Sequence, residues 1–106
     1  MAKRVLGQSA PAAATNTDVY TVGGGLSAVV STLVICNTTG GYIAYRVAVR
    51  PAGAAITTAH YLIKDSLIPA NSADFLTVGI TLAAGDVVTV YASLVGVAVT
   101  LFGDEA

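Results

Sequence analysis

The chain holds one thiol, Cys36, and one imidazole, His60, the side chains best suited to nucleophilic or metal chemistry. One of each is too few for a disulfide or for a Cys/His zinc site within the chain. Catalysis by the pair would need an exposed thiolate and a third group to orient the imidazole. Cys36 follows Val34 and Ile35 and reads as a buried, inert thiol. No serine stands in a Gly-x-Ser-x-Gly elbow. The acids Asp18, Asp65, Asp74, Asp86, Asp104 and Glu105 form no Asp-x-Asp calcium loop. Nothing selects two of them as a glycosidase pair, and most of the aspartates read as turn residues. Gly23-Gly24-Gly25 lacks the spacing and the Lys-Ser/Thr of a phosphate loop, so a flexible hairpin is expected there. No catalytic, cofactor-binding or metal-binding residue is assigned. The expectation is a protein that is not an enzyme and carries no cofactor.

Binding chemistry is easier to place. Arg46 and Arg50 share one face of a strand, with small Ala44 and Ala48 between them. Such a row leaves room for an incoming partner, although a solvated sheet face accounts for it equally well. Lys3 and Arg4 make a basic pair near the start, and Tyr42 follows Gly40-Gly41 in a turn that could display its ring. Tyr42 and Tyr45 fall on opposite faces and form no single platform. Tyr20, Tyr61 and Tyr91 lie inside apolar strands, where a ring at the core edge or at a subunit interface is the ordinary reading.

The elements that must position these residues are strands. Short apolar segments alternate with Gly, Asn, Asp and Pro clusters, and no sustained helical period appears. Eight strands are expected: Arg4 to Gln8, Asp18 to Val22, Ala28 to Cys36, Tyr42 to Arg50, His60 to Asp65, Ala73 to Ile80, Val87 to Leu94 and Val97 to Phe102. Gly85 can take positive φ and Asp86 can bond nearby backbone, making a hairpin-type corner at Ala83-Ala84-Gly85-Asp86. Leu94-Val95-Gly96-Val97 is expected to close a final hairpin. The fold class is all-β: one small antiparallel β-sandwich over 1-106, jelly-roll-like, with an immunoglobulin-like order as the second choice. Residues 1-17 form an extended arm or an edge strand. The third and seventh strands are apolar on both faces, which implies cover from a neighbouring segment or, preferentially in so short a chain, from another subunit.

Composition narrows the partners. Of 106 residues 55% are hydrophobic and only 10% charged, against about 25% charged in an ordinary soluble domain. A surface so poor in charge resists association weakly and suits life inside an assembly. Five basic against six acidic residues leave no surplus to neutralise phosphates, so neither nucleic acid nor an anionic membrane is expected as a partner. Mean hydropathy is +0.75, yet the charge-free run from Val19 to Tyr45 is interrupted by glycine clusters, against a spanning helix. The start lacks the apolar core of a secretory signal, which points to synthesis in a cytoplasm.

Three stretches carry a resemblance. Val5-Leu6-Gly7-Gln8-Ser9-Ala10-Pro11 with Thr17-Asp18-Val19-Tyr20-Thr21-Val22, then Ser31-Thr32-Leu33-Val34-Ile35-Cys36-Asn37, then Leu82-Ala83-Ala84-Gly85-Asp86-Val87-Val88-Thr89-Val90-Tyr91-Ala92 resemble small virion proteins of tailed bacteriophages. The resemblance implies a head decoration or cement protein, or a small tail component, located in the virion after synthesis in the host cytoplasm. It implies the major capsid protein or another virion protein as partner, and a homo-oligomer, preferentially a trimer. The alternative is a tail or fibre-associated module that binds a host surface glycan. Partner contacts are assigned to Arg46, Arg50, Lys3, Arg4 and Tyr42.

Overall fold

The computed structural model describes residues 2–77 and 79–106. Its strands are β1 (Ala2–Ser9), β2 (Thr17–Thr21), β3 (Ala28–Asn37), β4 (Ile43–Arg50), β5 (Tyr61–Ile68), β6 (Ala73–Leu76), β7 (Ile80–Leu82), β8 (Val87–Ala92) and β9 (Val97–Glu105). One sheet runs β1-β9-β3-β6, with β7 also paired to β3, and the other runs β2-β8-β4-β5. All these ladders are antiparallel. Because β6 and β7 lie in line along β3, they act as one interrupted edge strand, and the order is that of an eight-stranded jelly roll.

Alternation in the sequence builds the core. On β3, Val30, Leu33 and Ile35 point inward; on β9, Val97, Val99 and Leu101 do the same. They meet Ile43, Tyr45 and Val47 of β4, Ile68 of β5 and Val88 and Val90 of β8 in one cluster. Two hydroxyls tie the sheets together at the rim of this cluster. Tyr20 on β2 donates to Glu105 on β9 at 2.5 Å, and Tyr45 on β4 donates to Asp74 on β6 at 2.8 Å.

Several expectations are corrected. Leu94 to Val97 does not close a hairpin, because β8 and β9 belong to different sheets. The Gly23-Gly24-Gly25 segment and the Ala83 to Asp86 corner likewise cross from one sheet to the other; β4 and β5 are the consecutive strands that pair. At that corner Gly85 has φ +85°, and Asp86 accepts from the backbone of Ala83 and Ala52, as a turn aspartate should. The fifth strand starts at Tyr61 and extends to Ile68, while His60 lies in a 3-10 turn. It continues past Asp65 because that residue takes a positive φ of 57° and forms a bulge in register with β4. The segment from Ala73 to Ile80 is two strands; Val78 lies outside the described residues. Tyr42 precedes β4 and is exposed in the turn.

The doubly apolar strands have two different fates. The outward Val87 of β8 is 5% exposed, covered by the chain's own turn Pro51–Gly53. The outer side of β3 stays open, with Val29 40% exposed. Subunit cover is therefore unnecessary for β8.

Candidate functional site

Arg46 and Arg50 do share the outer face of the second sheet, but both are engaged within the chain. Arg46 binds Asp65 through Nε at 2.6 Å and stacks over the Tyr91 ring at 4.2 Å. The guanidinium holds the Asp65 carboxyl below the usual aspartate range. Arg50 binds Asp18 at 2.9 Å and Thr89 at 3.0 Å, and it donates to the carbonyls of Gly53 and Ala54. It thereby holds the turn at 51–54 against β8, and the row is an internal clamp more than an open docking face. Lys3 and Arg4 stand on β1 in the other sheet, so the four basic residues do not form one patch. Arg4 binds Glu105 at 2.7 Å. That bond first, and the Tyr20 hydroxyl second, keep the Glu105 carboxyl below its ordinary range.

The chemistry-bearing residues are dispersed. Cys36 is half-buried on the outer side of β3, opposite Ala73 and Ala98, while the Nδ1 of His60 accepts from the backbone of Thr57 on the segment beside β4. Among the described residues no three His, Cys, Asp or Glu side chains gather as a metal site. Reading most aspartates as turn residues holds for Asp86 alone: Asp18 and Asp74 lie within strands, Asp65 sits on a bulge, and Asp104 and Glu105 end β9.

Tyr42 belongs to the most organised surface of the molecule. At one end of the sandwich the connections 38–42, 69–72 and 93–96 come together without a single charged residue. Asn37, fully buried at the end of β3, pins the first two, and Thr38 ties in the third. Its Nδ2 donates to the carbonyls of Gly41 at 2.7 Å and of Ile68 and Pro69 at 3.1 Å. Its Oδ1 accepts from the backbone N–H and the hydroxyl of Thr39. Thr38 donates twice to the Gly96 carbonyl, through its N–H at 2.9 Å and its hydroxyl at 2.6 Å, and Asn71 donates to Thr39. Gly96, with φ +114°, is required: a Cβ there would collide with the Thr39 side chain.

On this fixed frame Tyr42 is 65%, Leu94 55% and Val95 70% exposed. The sequence points to Tyr42 and not to the other two, which its pattern assigns to a hairpin turn. Asn37 is not anticipated either: its buried side chain joins the 38–42 connection to the one that begins at Pro69. The only signal was an amide at the end of an apolar strand, before a run of Thr and Gly.

Comparison of the chain with protein-family models, with curated proteins and with solved structures finds no match.

Proposed function

We propose that this chain is a non-enzymatic structural protein of a bacteriophage virion, of the decoration or cement type, which seats its uncharged loop end on the assembled shell between major capsid subunits. The observation that carries this reading is the loop end itself. Interface centres are depleted in charge and enriched in tyrosine, as Tyr42, Leu94 and Val95 are placed here. Fixing the connections beforehand, through Asn37, lowers the ordering cost of binding. A protein that binds the assembled shell and not its separated subunits stabilises the shell by mass action, and many copies add their effects. The chemistry required is contact alone.

The second reading, a tail or fibre-associated module that holds a host surface glycan, draws on the outer face of the second sheet. There Tyr91 and Tyr61 lie beside Arg46, Lys64 and Asp65, aromatic faces next to hydrogen-bonding groups.

Purified chain mixed with expanded phage heads lacking it, then pelleted with them, tests the proposal. Copies should saturate in a fixed ratio to the shell subunits. Combined Tyr42→Ser, Leu94→Ser and Val95→Ser substitutions should lower bound copies at least tenfold, whereas Arg46→Ala should leave them unchanged. Failure of the wild-type chain to pellet with heads at micromolar concentration overturns the proposal, and binding to a glycan array in that case favours the second reading.

A further inference from the structure

At the opposite end of the first sheet, β1 and β9 place two side-chain pairs on the outer face. Lys3 stands opposite Asp104, and Val5 opposite Phe102. Lys3 and Asp104 carry opposite charges, yet the ion pairs among the described residues are Arg4–Glu105, Arg46–Asp65 and Arg50–Asp18. Asp104 is also only half solvated: its Oδ1 is buried with no hydrogen-bond partner. A cation brought alongside a carboxylate so placed is favourable. Next to it Val5 is 42% and Phe102 41% exposed. With Ser31 and Gly103 these residues line a shallow depression of about 520 Å³.

A cation, an anion and two apolar side chains arranged in this order are complementary to themselves. Consider a two-fold axis parallel to the strands, passing midway between β1 and β9 above the sheet. Rotation about it lays β1 of one copy over β9 of another and keeps each residue at its own height along the strands. Lys3 of each copy then meets Asp104 of the other, and Val5 meets Phe102, the reciprocal pattern of an isologous contact. We infer that the outer β1/β9 face pairs with a second copy of this chain about such an axis.

The contact is small. Two strands across and nine residues along cover roughly 10 Å by 30 Å, well below the ~800 Å² per partner of a standard interface. Association is therefore weak in dilute solution and becomes appreciable where copies are held side by side, as on a lattice. The inference does not depend on the loop end, whose variants leave this face intact.

Sedimentation velocity of the intact chain, from micromolar to millimolar concentration, reads the association directly. A monomer–dimer equilibrium that weakens with salt is expected. Lys3→Asp and Asp104→Lys should each reduce the association constant at least tenfold by setting like charges together. An equimolar mixture of these two variants should associate again, because one variant then presents acid at both contacts and the other presents base. Phe102→Ser, at an exposed position, should weaken pairing without charge change. If either reversal unfolds the chain, as read by circular dichroism, Phe102→Ser decides: unchanged pairing refutes the inference. A chain that stays monomeric at millimolar concentration, one that forms trimers, or a mixture of folded reversal variants that fails to associate also overturns it.

Discussion

Replacing Asn37 by alanine should be the most damaging single polar substitution in the chain. The two N–H groups of the side chain are shared among three carbonyls and its oxygen accepts twice from Thr39, and alanine removes all of these contacts. The partners differ in what water can restore. The Ile68 carbonyl is sealed in the interior, and leaving it unsatisfied costs about 1–3 kcal/mol. Gly41 and Thr39 lie nearer the surface, where water replaces much of what is lost and each bond contributes about 0.5–1 kcal/mol. The sum is about 2.5–6 kcal/mol, which in a domain of this size lowers the melting temperature by at least roughly 10 °C. Equilibrium unfolding in urea, followed by far-ultraviolet circular dichroism, should show the midpoint falling with little change in slope. Asn37→Asp separates hydrogen bonding from packing. It keeps the shape but presents an acceptor oxygen to three carbonyls, so it should be more destabilising than alanine. A loss under about 1 kcal/mol for Asn37→Ala, or an aspartate variant no worse than alanine, would refute the pinning role.

Gly103→Ala should cost about 1–3 kcal/mol in the same urea assay, because the added Cβ meets the backbone carbonyl of Val29 where β3 bulges, and backbone yields little. Burial, reinforced by Glu105 and Asp74, raises the Tyr20 and Tyr45 hydroxyls to about 12. Their contribution to stability is complete below the unfolded value near ~10 and is lost as pH rises toward the folded one; ultraviolet titration should lose one late-ionising tyrosine in each of Tyr20→Phe and Tyr45→Phe. Glu105 has the opposite sign: its lowered carboxyl stabilises the fold above the ordinary value near ~4.3 and ceases to do so as pH falls through the folded value. Glu105→Gln should therefore flatten the acid limb of the stability profile measured by urea midpoints. Arg50→Ala should release the turn after β4, read as faster amide exchange at Gly53 to Ile56 with little change in β9.

The fold was legible where a residue's environment follows from its neighbours in sequence. Period-two alternation placed Arg46 and Arg50 on one face of β4, and that reading holds. Positive φ at Gly85 and capping by Asp86 were also readable, because a turn is a local object. Which strands a turn joins is not local. The Leu94 to Val97 turn looks the same whether it returns to a neighbour or crosses to the other sheet, so the hairpin reading failed there. Cover for the outward side of β8 was equally hidden, since the turn at 51–54 offers only small residues and is held by Arg50 hydrogen bonds. Of the candidate site, an exposed ring at Tyr42 could be anticipated from the glycines before it. The frame beneath it could not, because Asn37 gathers carbonyls from residues 4 to 32 positions away.

The pairing of β1 with β9 also governs the order of events in folding. Arg4 meets Glu105, 101 positions along the chain, and Ser27 exchanges backbone hydrogen bonds with Ala106. During synthesis β1 emerges without its neighbour, and β3 waits for the same strand to fill the place between them. The first sheet therefore closes only when β9 is free of the ribosome. Until then Val30, Leu33 and Ile35 are open to wrong pairings. A chain with so few charges to keep those intermediates apart should fold slowly and yield poorly at high expression rates, and lowering the rate or temperature of synthesis should raise the soluble fraction more than any change to the native surface.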